Sequence, residues 1–195
     1  GSASGKTLFL KDLVDQFGDD QICVISQDNY YYERELQYKD DNGIYNFDRP
    51  ESINELDFAR DIKLIKEGKP FERKEYTFNN PAKTPKNLHF KPAPIVIIEG
   101  LFVTYFKEVN ELLDLRIYLD VDDHIRLKRR IIRDNHERGY DLEDVLYRFE
   151  NHVMPTYKRH ISPLKSNADI VIPNNSNFGI ALDVISGFIK NRLNN

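Results

Sequence analysis

The chain has 195 residues, a length that suits one domain and lets a core hide roughly 70% of the extended-chain surface. Hydrophobic residues make up 40% and charged residues 31%, with 9 Gly and 9 Pro, which excludes collagen-like, mucin-like and disordered classes. Lys and Arg total 28 against 32 Asp and Glu, so the charge of −4 argues against general nucleic-acid affinity, and the single cysteine, Cys23, excludes an internal disulfide framework. The longest apolar runs, such as Ile95-Val96-Ile97-Ile98, fall far short of the ~20 residues of a membrane span. No basic stretch followed by an apolar one opens the chain. The expectation is a cytoplasmic α/β or α+β protein with neither a membrane nor a nucleic-acid partner.

The first seven residues, Gly1-Ser2-Ala3-Ser4-Gly5-Lys6-Thr7, fit the phosphate-binding loop G-x-x-x-x-G-K-S/T with its first glycine one position before Gly1. The strand that feeds such a loop would also lie upstream, so residues 1–195 read as one domain whose first strand precedes residue 1. Leu10, Leu13, Val14 and Phe17 then fall at helical spacing, with Gly18 as a stop. Ile22 to Ser26 is a short apolar strand ending at Gln27-Asp28. Residues 29–49 are rich in Tyr, Asp and Asn without periodicity and read as a functional loop. Ser52 with Glu55 forms a capping box for a helix running to about Gly68. Residues 70–92, with Pro70, Pro81, Pro85 and Pro92, read as a β-hairpin insert.

Ile95 to Ile98 and Leu115 to Val121 are two further strands. Asp122 through Arg138 is a strongly charged helix closed by Gly139, and a second helix covers about Asp141 to Met154. Ile170 to Ile172 is the last strand. Ala181, Val184, Ile185, Phe188 and Ile189 mark the apolar face of the final helix. Strands alternating with helices predict a mostly parallel sheet with helices on both faces, a three-layer α/β fold.

Several of these residues carry chemistry. In a phosphate-binding loop the backbone N–H groups of Ser2, Ala3, Ser4 and Gly5 cradle a nucleotide at a helix N-terminus. Lys6 then reaches the β- and γ-phosphates and the Thr7 hydroxyl ligates Mg²⁺. Glu99 ends an apolar strand at the edge where parallel sheets bind ligands, a place from which it holds Mg²⁺ through water. Asp28 ends the preceding strand at the same edge and is placed to accept a hydroxyl proton, although Asp28-Asn29 also suits a plain turn. Arg126, Arg129, Arg130 and Arg133 share one helix face, with Arg138 just beyond. Such a stripe is a lid over phosphate charge, a solvated salt-bridge face or an RNA-binding surface.

Taken in order, these motifs resemble the uridine kinase family, relatives of phosphoribulokinase and pantothenate kinase. The resemblance rests on Ser2 to Thr7, Gln27-Asp28-Asn29-Tyr30-Tyr31, Asn46-Phe47-Asp48-Arg49-Pro50, Ile97-Ile98-Glu99-Gly100-Leu101, Arg129 to Asp134, Glu137-Arg138-Gly139 and Ala168 to Pro173. It implies a P-loop NTPase fold with a hairpin substrate insert and an Arg-rich helical lid. It also implies transfer of phosphate from ATP or GTP, with Mg²⁺, to the 5′-hydroxyl of uridine or cytidine in pyrimidine salvage. By that analogy Asp28 is the general base, and Lys6, Thr7 and Glu99 serve phosphate and metal. Asp48 and Arg130 hold the ribose hydroxyls, and Tyr31, Phe47 and Tyr76 line the nucleoside pocket. Arg133 and Arg138 close on phosphates, and family analogy adds a homo-oligomer.

The departures gather where the base would be read. The family shows Tyr-x-Phe/Tyr-x-x-His in the hairpin, whereas Tyr76-Thr77-Phe78-Asn79-Asn80 is followed by Pro81. Tyr140 stands where an Arg is usual, Arg148 where a Gln is usual, and Asn174-Asn175 where Arg-Gly is frequent. The alternatives are a P-loop kinase of another hydroxyl compound, such as a pentose or pantothenate-like molecule, and a nucleotide-binding regulator without turnover.

Overall fold

The computed structural model describes residues 2–18, 20–78 and 83–194, without the side chains of residues 136–138. In chain order the elements are α1 (Lys6–Val14), β1 (Ile22–Ser26), α2 (Glu55–Lys66), β2 (Phe71–Lys74), β3 (Asn87–Phe90), β4 (Ile95–Glu99) and α3 (Lys107–Asn110). There follow β5 (Ile117–Asp120), α4 (Asp123–Arg138), α5 (Leu142–Arg148), the short α6 (Met154–Thr156), β6 (Ile170–Pro173) and α7 (Gly179–Leu193). Among the described residues no helix is long and apolar enough to cross a membrane.

Strand β1 pairs in parallel with β4, Ile22 facing Ile95 and Ser26 facing Glu99. Strand β5 pairs in parallel with β6, Ile117 facing Ile170. Among the described residues the parallel pairing thus forms two two-stranded ladders, not one continuous sheet. Side chains alternate across a strand, and both ladders feed the same two clusters. Ile95 and Ile97 of β4, Leu119 of β5 and Ile170 and Ile172 of β6 pack with Phe9 and Leu13 of α1 and Ile185 and Ile189 of α7. Cys23 and Ile25, Val96 and Ile98, and Tyr118 pack on the opposite face with Phe58, Ile62 and Ile65 of α2 and with Phe102 and Phe106. Helices therefore cover both faces, and the three-layer α/β arrangement stands.

The antiparallel insert also stands, as β2 and β3 pair Phe71 with Phe90 and Lys74 with Asn87. Three local expectations are corrected. The α2 cap is Asn54, whose side chain accepts from the Asp57 N–H at 3.1 Å, because Ser52 is consumed in a 3₁₀ turn, Pro50–Ser52. Helix α1 buries Phe9 with Leu13 and ends at Val14, before Phe17 and Gly18. In α7, Ile185 and Ile189 turn inward, but Val184 and Phe188 are 62% and 44% exposed, alongside Ile180. The charged helix α4 ends where expected, at Gly139 with φ +68.

Candidate active site

The loop before α1 has the backbone of an anion cradle. Ala3 and Gly5 both take positive φ, +59° and +88°, and Gly5 caps α1 with no side chain hydrogen-bonded there and no acidic residue in the first turn. The first N–H groups of α1 therefore have no side-chain cap, and no first-turn carboxylate offsets the helix dipole. A Cβ on Gly5 would lie 2.4 Å from Nδ2 of Asn174, which itself donates to the Ser4 carbonyl oxygen at 2.8 Å. The Ser4 hydroxyl is buried without a hydrogen-bond partner among the described residues. Lys6 and Thr7 open α1 directly after this turn. The donor set fits a phosphate chain.

Asp28 and Glu99 come together through the β1–β4 register. Ser26 faces Glu99 across the ladder, and its hydroxyl donates to the Glu99 carboxylate. The same hydroxyl accepts from the Asp28 N–H at 3.3 Å, starting the 3₁₀ turn Gln27–Tyr30. Buried Gln27 anchors that turn by accepting from the Phe102 N–H at 2.9 Å. The Glu99 carboxylate and the Asp28 backbone are thus tied together at the carboxyl edge of adjacent parallel strands, where α/β folds bind ligands. No cluster of three or more His, Cys, Asp or Glu suited to a metal occurs among the described residues. Mg²⁺ takes one or two protein oxygens and leaves its remaining positions to water and phosphate, so a single carboxylate such as Glu99 is chemically sufficient.

Behind Asp28, Tyr30 is buried and donates to Asp61 Oδ2 at 3.1 Å, with the Arg73 guanidinium 3.7 Å above its ring. Burial, then the charge of Asp61, pushes the Tyr30 phenol well above its ordinary range, against the opposing pull of Arg73. Tyr31 stacks on Tyr76 at 5.4 Å and meets Phe47 and Phe78 edge-on or tilted at 6.2 and 5.6 Å. A cavity of about 290 Å³ opens beside these rings, lined by Asn29, Tyr31, Glu33, Arg73 and Tyr76 among others. Asn29 Oδ1 accepts from the Tyr76 N–H at 3.1 Å and ties the hairpin to the turn carrying Asp28.

Arg130 joins three parts of the site. It donates to the Ser2 hydroxyl at 3.1 Å and pairs with Asp48 at 3.7 Å and Asp134 at 3.0 Å. Its helix-mates diverge. Arg126 is 2% exposed and lies 3.6 Å above the Tyr157 ring, so it belongs to the interior and not to a lid face. Arg129 reaches the Asn175 carbonyl at 3.4 Å, and Arg133 pairs with Asp134 at 2.8 Å. The Arg138 side chain lies outside the described residues, as do Asn79, Asn80 and Pro81. Arg148 binds Asp144 at 3.0 Å and the Tyr45 carbonyl at 3.1 Å, with its guanidinium over the Tyr140 ring.

Ser26 and Asn174 contact the candidate site residues, and the sequence assigned neither of them a role there. Ser26 has no signal beyond its position two residues before Asp28. Asn174 did stand out as a departure, but its contact to the loop 170 residues away is not readable from spacing.

Three comparisons bear on this geometry. The family model described as "Phosphoribulokinase / Uridine kinase family" matches residues 1–181. A uridine kinase of Brevibacillus brevis is 32% identical over 193 residues, covering 99% of this chain and 90% of that protein. Uridine-cytidine kinase B of Dictyostelium discoideum is 30% identical over 193 residues, covering 99% and 79%. The solved phosphoribulokinase from Rhodobacter spheroides superposes with a TM-score of 0.67 over 89% of this chain and 67% of that one, at 20% identity, a likeness of fold.

Proposed function

The chain belongs to the phosphoribulokinase/uridine kinase family, and from that premise we propose that it moves the terminal phosphoryl group of ATP or GTP to the 5′-hydroxyl of uridine or cytidine. The observation that carries this reading is the Ser26 hydroxyl, which joins the Glu99 carboxylate to the Asp28 backbone across one ladder edge. In this reading the Glu99 carboxylate serves the metal and the Asp28 carboxylate serves the acceptor. Thr7 and Glu99 would hold Mg²⁺, which neutralises developing charge on the phosphate oxygens.

The chain's own groups do the rest. Asp28 accepts the acceptor's hydroxyl proton as the oxygen attacks phosphorus. Lys6 and the N–H groups of residues 2–5 hold the phosphates at the open end of α1. Arg133 and Arg138 add cationic charge where the transferring group carries negative charge. Asp48 and Arg130 take the ribose hydroxyls as acceptor and donor, and Tyr31, Phe47 and Tyr76 give the base apolar faces.

Base selection is weaker than the family norm in this reading. Pro81 carries no polar group for a base edge, and Arg148 is committed to Asp144 and the Tyr45 carbonyl. An apolar pocket separates ligands by about 10–200-fold, far less than a hydrogen-bonding one. The test is kcat/KM for uridine, cytidine, a purine nucleoside, free ribose and a pantothenate-type alcohol, with saturating Mg-ATP or Mg-GTP. Uridine and cytidine lead the purine by no more than that range. Turnover of none of the nucleosides, with rapid turnover of another alcohol, would overturn the reading.

A further inference from the structure

Outside the site, the buried His152 anchors a part-buried polar cluster with no assigned role. His152 is 2% exposed, and its Nε2 lies 2.7 Å from Asp40 Oδ2. The same carboxylate oxygen accepts from the Tyr147 hydroxyl at 2.8 Å, and Asn42 Nδ2 donates to that hydroxyl at 2.6 Å. The other oxygen, Oδ1, accepts from the backbone N–H groups of Asn42 and Ile44 at 3.0 and 2.9 Å. Every lone pair that Asp40 offers toward the protein is thus engaged by a defined donor. Partial desolvation works to raise the Asp40 carboxyl, yet the bonds from His152, Ile44, Tyr147 and Asn42 hold it well below the ordinary carboxylate range.

The cluster joins two elements far apart in sequence. His152 lies in a π-helical turn, Phe149–Val153, that continues α5. The wider turn carries residues five apart, Tyr147 and His152, toward the same side, and their rings meet edge-on at 5.8 Å. Asp40 opens a tight turn through Gly43, flanked by a Lys39–Tyr45 bridge, and the chain then runs directly into Asn46, Phe47 and Asp48. Arg148 fastens the same turn at the Tyr45 carbonyl, and Arg130 fastens its far end at Asp48. Residues 39–48 are therefore stapled to α5 at one end and to α4 at the other.

We propose that the pairing of buried His152 with part-buried Asp40, seconded by Tyr147, is the clamp that positions the loop 39–48, setting the affinity for the phosphoryl acceptor and not the rate of transfer. This rests on the reading that Phe47 and Asp48 bind the acceptor. His152, Asp40 and Tyr147 are positioning residues, since their contacts reach substrate only through the loop they hold.

The experiment compares wild-type enzyme with His152→Leu, His152→Gln, Asp40→Asn and the His152→Leu/Asp40→Asn pair. It measures acceptor KM, nucleotide KM, kcat and amide hydrogen exchange across residues 39–48. His152→Leu raises acceptor KM about tenfold or more, the weight of a hydrogen bond to a charged group. Its kcat and nucleotide KM stay within about twofold. His152→Gln, which keeps a donor, recovers most of the loss, and the double variant is no worse than the poorer single one. The Asn42 and Ile44 amides exchange faster in His152→Leu.

An unchanged acceptor KM in folded His152→Leu overturns the clamp, and so does a parallel loss of kcat or of nucleotide affinity. If His152→Leu does not fold, Tyr147→Phe shows the same split at about threefold, or the clamp is wrong. If wild-type enzyme phosphorylates no nucleoside, the proposed function fails. The KM series is then run on whichever alcohol it does accept, and unchanged exchange at Asn42 and Ile44 would still refute the clamp.

Discussion

Replacing Gly5 with Ala puts the geometry of the phosphate loop to a quantitative test. Gly5 sits at φ +88°, where an L-residue costs about 1–2 kcal/mol. The added Cβ would lie 2.4 Å from Asn174 Nδ2, a distance no real contact tolerates, so the amide has to move. Asn174 is short and 3% exposed, and moving it breaks its bond to the Ser4 carbonyl. A buried acceptor left unpaired costs about 1–3 kcal/mol, bringing the expected loss to about 2–5 kcal/mol. For a chain of this size that lowers Tm by roughly 4–20 °C. Nucleotide affinity falls too, because the loop is displaced. Thermal unfolding and calorimetric titration with Mg-ATP read both effects. Asn174→Ala removes the obstructing amide, so Gly5→Ala and Asn174→Ala combined cost less than the two apart. Wild-type Tm and Kd in Gly5→Ala, or strict additivity in the pair, would refute the reasoning.

Asp28→Asn keeps nucleotide binding and lowers kcat by about 10²–10⁴, the usual worth of a positioned base, and an unchanged single-turnover rate would remove Asp28 from that role. Ser26→Ala unties Glu99 from the Asp28 turn, so kcat drops at least about tenfold while the turn's backbone fold survives; an activity within twofold of wild type counts against the bridge. Tyr30 has a folded pKa raised above its unfolded value, so its contribution to stability is intact below about pH 10 and is lost only as pH climbs through the folded pKa. Ultraviolet titration therefore gives the same absorbance rise near pH 10 in wild type and in Tyr30→Phe, and a smaller rise in Tyr30→Phe would refute the shift. Changing Val184 to Ser leaves Tm within about 2 °C, because the side chain is already 62% exposed, and a larger fall would place it in the core.

The sheet edge was readable because its signals are local. An apolar run that stops at a carboxylate, as in Ile95 to Glu99, states both the strand and what faces the crevice. Gly139 announced the end of α4 by the same logic, as only glycine takes a left-handed turn freely. Degenerate signals misled. Ser52 with Glu55 and Asn54 with Asp57 both have the spacing of a cap, and the choice fell to Pro50, which winds Ser52 into a 3₁₀ turn. Helix α7 is apolar on two sides, so periodicity could not say which side meets β4 and β6. The arginine stripe on α4 misread Arg126 for a different reason. Burial of a guanidinium is decided by distant partners, here the Tyr157 ring and the Val121 carbonyl, which no local pattern contains. His152 was silent for the same reason, its acid lying 112 residues away.

The bare start of α1 links the durability of this protein to what it is given to bind. Whatever anion settles on those N–H groups binds the folded chain and not the unfolded one, and at a hundred times its Kd it adds about 2.7 kcal/mol to stability. Against a total of roughly 5–15 kcal/mol for a domain, that is a sizeable share. Abundance in a cell would then follow nucleotide supply, with starved cells clearing the enzyme faster. Handling in phosphate or sulfate would mask the dependence, since those anions would compete with the nucleotide for the same N–H groups.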